Sequence, residues 1–431
     1  MLSWLTKNTL DREVSMKIKD IGNVVTGKTP QTAHAEFYGG DYMFITPTEL
    51  HGGYKISSSE KTLTEAGLES IKTNSIDGIS VLVGCIGWDM GNVAMCFEKC
   101  ATNQQINSIT QISEDYSPYF LYYWLSTKKE YLFSISSVTR TPILSKGVFE
   151  EIEIPSISRS EQDKIAKVLL VLDKKIKLNS EVNDNLAQQL RLLYDYWFTQ
   201  FDFPDESGKP YRSSGGQMVW SDDAKKEIPA SWNSTKMSDA IEGIRTGLNP
   251  RDNFKLGSGT IKYITVKNLR SDGILDFSGC DTIDETARAI VHRRSDVCTG
   301  DILFASIAPL GRCHLVQELP QDWDINESVF SIRCNKATVT PEYLYMHLQS
   351  EAFVKESTAC STGSVFKGIR INTLLDSRML LPPMQVVDKF SQQTKPLFSL
   401  QYKLNKEIQA LTQLRDWLLP MLMNGQATIS D

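Results

Sequence analysis

The chain says nearly the same thing twice, at a shift of roughly 220 residues, and this repeat limits its fold more than any other feature. Ser15-Met-Lys-Ile-Lys-Asp20 returns as Ser234-Thr-Lys-Met-Ser-Asp239. Thr26-Gly-Lys-Thr-Pro30 returns as Thr246-Gly-Leu-Asn-Pro250, and Tyr42-Met-Phe-Ile-Thr46 matches Lys262-Tyr-Ile-Thr265, with Leu50 and Leu269 following. Ser117-Pro-Tyr-Phe-Leu-Tyr122 matches Thr340-Pro-Glu-Tyr-Leu-Tyr345. Short periods imply solenoids, whereas two copies of a whole domain imply internal two-fold symmetry. Such a chain suits a two-part, roughly symmetric target, of which DNA is the commonest.

Each half closes on a heptad-like segment. From Ile165, alternating steps of four and three give Leu169, Leu172, Ile176, Asn179, Asn183, Leu186, Leu190, Leu193 and Trp197. From Phe390 they give Thr394, Leu397, Gln401, Leu404, Ile408, Leu411, Arg415, Leu418 and Leu422, a constant offset of 225. Two seams of equal length predict an antiparallel helix pair, with asparagines that cost stability and fix register. About 40 helical residues would span about 60 Å, enough to hold two readers about one DNA turn, ~34 Å, apart. Pro396 predicts a kink early in the second helix.

The expected order is a mixed domain over residues 1–158, a helix over 159–200 and a loop-like passage over 201–227. A second mixed domain follows over 228–383, then a helix over 384–425 and a tail over 426–431. The fold class is α+β: two pseudo-symmetric mixed α/β domains joined by two long antiparallel coiled-coil helices.

Composition narrows the function. With 41% apolar and 23% charged residues the chain reads as an ordinary globular protein. No apolar run approaches ~18 residues, which predicts no membrane span. Met1–Leu10 lacks a signal-peptide core, so a cytoplasmic protein with reduced cysteines is expected. The net charge is −6; residues 1–158 hold 13 basic and 18 acidic side chains, and residues 228–380 hold 17 and 18. Any phosphate-contacting surface must therefore be local, with acidic surface left over for protein partners.

Catalytic motifs fail on inspection. Gly22-Asn-Val-Val-Thr-Gly-Lys-Thr29 satisfies the phosphate-loop spelling. Its leading segment Lys17–Ile21 is half charged, and Pro30 follows where a helix should start. Val168–Asp173 resembles a magnesium-binding partner but lies on the heptad seam. The second copy keeps only Thr-Gly-x-x-Pro, which preserves a turn and not a nucleotide cradle. No methyltransferase-type Asn-Pro-Pro-aromatic run occurs, and the five histidines lack metal spacing.

What remains is the polar content of the matched loops. Arginine and lysine reach guanine, while asparagine reads adenine. Candidate DNA contacts are Lys28, Thr29, Thr46, Thr48, Trp88, Arg140 and Thr141 in the first half. In the second they are Arg245, Asn249, Arg251, Lys267, Asn268, Arg312, Ser364, Lys367 and Arg370. Arg251, beside Gly247 and Pro250, is the expected base reader, and Lys367 the expected phosphate grip. A solvated loop carries the same residue types, so their matched placement argues for the group and not for individuals. A symmetric protein- or sugar-binding scaffold and an ATP-using enzyme are the alternative readings.

Several segments resemble the specificity subunit of type I restriction–modification systems. They are Pro155 with Ser160-Glu-Gln-Asp-Lys-Ile165, and Leu193-Tyr-Asp-Tyr-Trp-Phe198 with Phe201-Asp-Phe-Pro204, Gly208-Lys-Pro-Tyr211 and Ser213-Ser-Gly-Gly216. Ile228-Pro-Ala-Ser-Trp232 and Leu414-Arg-Asp-Trp-Leu-Leu-Pro420 with Leu422-Met-Asn-Gly425 extend the resemblance over nearly the whole chain. The first domain lacks the Ile-Pro-x-x-Trp opening, and Met384-Gln385 replaces Glu-Gln at the distal junction. The resemblance implies two target recognition domains, each binding half of a bipartite sequence in double-stranded DNA. It implies a helix pair that docks two methylation subunits, with restriction subunits as further partners. No cofactor is implied for this chain; S-adenosylmethionine, ATP and Mg²⁺ are implied for the partner subunits.

Overall fold

Continuous apolar runs dictate the sheets. Ser80-Val-Leu-Val-Gly84 and Ile302-Leu-Phe-Ala305 are buried along their whole length, as expected of strands covered on both faces. The computed structural model describes residues 5–6, 15–138, 140–361 and 368–429. In it both runs are inner strands of four-stranded antiparallel sheets with the same order. The first sheet runs Asn23–Thr26, Ile106–Thr110, Ser80–Gly84, Val93–Cys96. The second runs Ile241–Thr246, Val329–Cys334, Ile302–Ala305, Cys313–Leu315.

Successive side chains of a strand leave opposite faces, and both sheets use this to separate two cores. Val81 and Val83 enter a core shared with Ile165, Leu169, Leu418 and Leu422 of the long helices. Leu82 points the other way, among Met43, Ile45, Ile76 and Ile106. In the second domain Ile302 and Phe304 face Leu190 and Phe390, while Leu303 packs with Ile264, Leu269 and Ile325. Each such side chain contributes about 1.5–3 kcal/mol by burial.

The second layer is also matched. Tyr38–Ile45 runs parallel to Cys100–Thr102, and Ile261–Ile264 runs parallel to Trp323–Ile325. A two-stranded strap closes each domain: Ser15–Lys17 with Glu153–Pro155, and Asn233–Lys236 with Arg378–Leu381. Segment 201–227 is not wholly loop, since Met218–Ser221 pairs with Lys226–Pro229 as a hairpin, with Lys225 at φ 52 in its turn. Strands Leu5–Thr6 and Thr428–Ile429 make the corresponding antiparallel pair in the other half.

The long helices are Arg159–Tyr194 and Met384–Met423. The first ends earlier than its heptad pattern suggests, because Asp195–Thr199 widens into a π-helical turn. That turn presents Trp197 and Phe198 to Trp232, Tyr343 and Phe390, with ring centroids 4.7 to 5.8 Å apart. Pro396 does not interrupt the second helix. Every seam position of both helices is buried or half-buried.

The chain divides into two units, Met1–Lys177 with Ile408–Asp431, and Leu178–Glu407, so each unit contains one mixed domain and a length of both helices. In the second unit Asn179 Nδ2 donates to Glu407 at 2.9 Å and Asn183 Nδ2 donates to Asn405 at 2.5 Å, an antiparallel register. In the first unit Asp173 accepts from Tyr123 at 2.6 Å and from Arg415 at 3.0 Å. Offset by 225, Asp173 and Arg415 become Phe398 and Leu190, which pack in an apolar core instead.

The junctions to the helices follow the same exchange of polar for apolar. Gln162 is fully buried; it accepts from Ser117 N at 2.8 Å and donates to the carbonyls of Asp115 and Ile157. Its counterpart, the fourth residue of the distal helix, is Val387 and not Gln385. The distal junction therefore carries Val386-Val387 where the first carries Glu161-Gln162. Ser391, donating to Thr340 Oγ1 at 2.6 Å, supplies the polar tie there.

Candidate nucleic-acid interface

The repeated Thr-Gly-x-x-Pro loop leaves the edge strand of the four-stranded sheet in both domains. Its glycine is required by close approach. A Cβ at Gly27 would fall on Thr102 and the carbonyl of Asn103; one at Gly247 would fall on the carbonyl of Ile325. Gly27 N donates to Ile106 O at 3.1 Å, and Gly247 N to Asn326 O at 3.2 Å. Each loop is thus pinned to a neighbouring strand, and the residues beyond it project from a fixed point. Lys28 and Arg251 are exposed and Asn249 is half-buried. Thr29 Oγ1 is engaged with Gln104 at 2.9 Å.

A second matched turn follows the parallel strand. Thr46 and Glu49 form a reciprocal capping box, and Thr265 with Asn268 forms the same arrangement. The carbonyl oxygen of the Asn268 side chain accepts from Thr265 N at 2.8 Å and its amide donates to Asp276 O at 3.0 Å. With Asn268 only 6% exposed, nothing is left for a base edge. Asn268 is therefore a cap, and so is Thr46, whose hydroxyl donates to Glu49 at 2.7 Å. Thr48 and Lys267, one turn along, are the exposed members of these turns. Replacing Asn268 by alanine should cost about 2 kcal/mol by loss of the cap and exposure of a buried donor. Thermal unfolding would measure the loss, with base preference unchanged in the assembled complex.

Among the described residues of the two domains, Trp88 is the most exposed large apolar side chain, at 70%. Gly87 at φ 107 starts its turn, and Asp89 anchors it: Lys129 Nζ reaches Asp89 at 2.6 Å and Asn92 Nδ2 at 3.1 Å, with His51 at 3.1 Å. The Lys129 ammonium holds the Asp89 carboxyl below the usual carboxylate range. Lys129 and His51 lie 40 and 38 residues from Asp89 in sequence, and no local pattern announces them. Arg140 and Thr141 are exposed. In the second domain Arg312 is half-buried and Arg370 is exposed. Arg245 forms an ion pair with Asp296, which competes with a role as base reader. Ser364 and Lys367 lie outside the described residues.

The phosphate-loop spelling is crossed by a strand, Asn23–Thr26, whose amides and carbonyls belong to a sheet. Asp173 is occupied by Tyr123 and Arg415. Among the described residues no group of three or more His, Cys, Asp or Glu could hold a metal ion, and no helix is long and apolar enough to cross a membrane.

Comparison with known proteins gives a consistent relationship. Residues 12–188 match the family described as the type I restriction modification DNA specificity domain. The MjaIX specificity subunit of a type I restriction enzyme from Methanocaldococcus jannaschii is 27% identical over 421 residues, covering 96% of this chain and 93% of that protein. The HindI specificity subunit of Haemophilus influenzae is 33% identical over 181 residues, 41% of this chain and 39% of that protein. The crystal structure of a type I restriction–modification S subunit from M. genitalium shares the fold, with a TM-score of 0.61 at 18% identity and 99% of both chains covered. Doubled mixed domains, paired helices and these relatives together make the chain similar, over nearly its whole length, to type I restriction enzyme specificity subunits, with residues 12–188 matching the DNA specificity domain itself.

Proposed function

We propose that this subunit reads a bipartite sequence in double-stranded DNA, one half with each mixed domain, and docks methylation and restriction subunits without catalysing their reactions. It works in the cytoplasm on chromosomal and incoming DNA. S-adenosylmethionine for adenine methylation, and ATP with Mg²⁺ for cleavage, belong to the partner subunits. One observation carries the reading: a polar loop springs from the same edge of the same sheet in both domains, pinned each time by a glycine against the adjoining backbone. A rigid platform with a variable exposed tip is what direct readout of base edges requires.

Exchange of residues 228–383 for the equivalent segment of another specificity subunit tests this. Methylated motifs mapped across a host genome should change in one half only, with the other half retained. A change in both halves, from a complex that still methylates, would exclude two independent readers.

A further inference from the structure

The two domains share a fold but not a charge, and the difference is concentrated in one place. In the second domain the repeated loop continues as residues 247–255 and lies against helix Glu285–Ser295. Leu248 and Phe254 pack on Ala287, Val291, Ile283 and Tyr263. The Tyr263 hydroxyl donates to Leu248 O, and its ring meets Phe254 at 5.5 Å. Arg294 Nη2 reaches back 3.3 Å to Thr246 Oγ1, at the start of the loop.

This packing gathers cations. Residues 245–255 and 285–295 hold six Lys or Arg (Arg245, Arg251, Lys255, Arg288, Arg293, Arg294) against two acids, Asp252 and Glu285, in a chain of net charge −6. Arg245 is tied to Asp296, and Arg288 donates to Pro320 O at 2.8 Å. Arg251, Lys255, Arg293 and Arg294 are exposed, and among the described residues none of them meets a carboxylate within ion-pair distance.

At the corresponding place the described residues of the first domain form no such face. Its helix in the same place, after strand Lys61–Leu63, is Glu65–Glu69. Residues 26–36 and 65–74 hold Lys28 and Lys72 against Glu36, Glu65 and Glu69. Lys72 is already paired with Glu69 at 2.8 Å.

We propose that the basic face at the last turn of helix Glu285–Ser295, beside loop 247–255, grips the DNA phosphate backbone, a contact that the corresponding helix of the first domain is not built to make. The proposal rests on the DNA-reading function above. Exposed, unpaired arginines beside a base-reading loop are suited to phosphate, because the guanidinium fork matches its oxygens.

The test uses the subunit assembled with its methylation subunits and a duplex carrying the target mapped from the methylome. Affinity is measured between 50 and 200 mM salt for the native complex and for Arg293→Gln/Arg294→Gln. Each lost phosphate contact removes about 0.9 from the salt slope, so the native complex should lose about 12-fold more affinity than the double variant over this range. Base preference should not move, Arg293→Lys/Arg294→Lys should restore most of the slope, and Lys72→Gln in the first domain should leave it unchanged. A native slope in the Gln variant, with its thermal unfolding unaltered, overturns the proposal. So does weakened subunit assembly with the slope intact, which would assign the face to an acidic protein surface. Native complex that retains no DNA in a sequence-dependent way would instead refute the reading function itself.

Discussion

Gly247→Ala is expected to destabilise the second unit by about 3 kcal/mol or more, because the new Cβ would overlap the carbonyl of Ile325 and backbone cannot rotate aside as a side chain can. The strand Trp323–Ile325 is bonded in parallel to Ile261–Ile264, so the clash would spread into the sheet beneath loop 247–255. Gly27→Ala should act in the same way on the first unit through Asn103. Gly243 provides the control: nothing lies within 4 Å of its Cβ position, so Gly243→Ala should change stability by less than about 1 kcal/mol. Urea midpoints of the three variants would decide the matter. Equal midpoints for Gly247→Ala and Gly243→Ala would mean that the loop is not pinned as described.

The second large effect is acid sensitivity confined to one unit. Burial pushes the His314 and His347 imidazoles down to about 4, and Lys226 adds to the effect at His347. Both belong to the second unit. An unfolded histidine takes its proton near 6.5, so the folded state binds fewer protons between about pH 6.5 and 4. The associated stability is complete above that window and is lost as pH falls through it. At pH 5 each histidine should cost about 2 kcal/mol. Asp324, whose pKa is raised by burial, offsets part of this on protonation. In the first unit His34 and His51 lie at the surface with side chains 47% and 54% exposed. Hydrogen exchange at pH 7 and pH 5 should show protection lost in the second unit while the first holds. Uniform loss across both units would show that these rings do not control acid stability.

The seams were legible in sequence because a coiled-coil contact depends on spacing alone, and Ile165 to Trp197 carries that spacing without a break. The glycine turn was legible for a related reason: Gly27 and Gly247 stand where only a missing Cβ fits, so both copies carry glycine there although Lys28-Thr29 in one is Leu248-Asn249 in the other. Roles set by distant partners were not legible. Asn268 reads as a base-contacting amide until Asp276 and Thr265 are seen to use both ends of it. Arg245 reads as a free cation until Asp296 is seen beside it. The exchange of Gln162 for Val387 was hidden because a polar tie and an apolar contact can serve one junction, and alignment by letter then slips by two residues. Arg293 and Arg294 carried no motif at all; only the packing of Leu248 and Phe254 brings their helix beside the loop.

The pairing of Leu5–Thr6 with Thr428–Ile429 carries one more implication. Hairpin Met218–Pro229 makes the same kind of crossing within a single stretch of chain. The two crossings are equivalent, one made within a continuous stretch of chain and one between segments more than 400 residues apart in sequence. The pairing of strands, and not the run of the chain between them, is therefore what closes each repeat. A circular permutant opened in the turn at Asp222–Lys225 and sealed across the strand pair would list its recognition domains in the opposite order. It would use the same straps, cores and helix register.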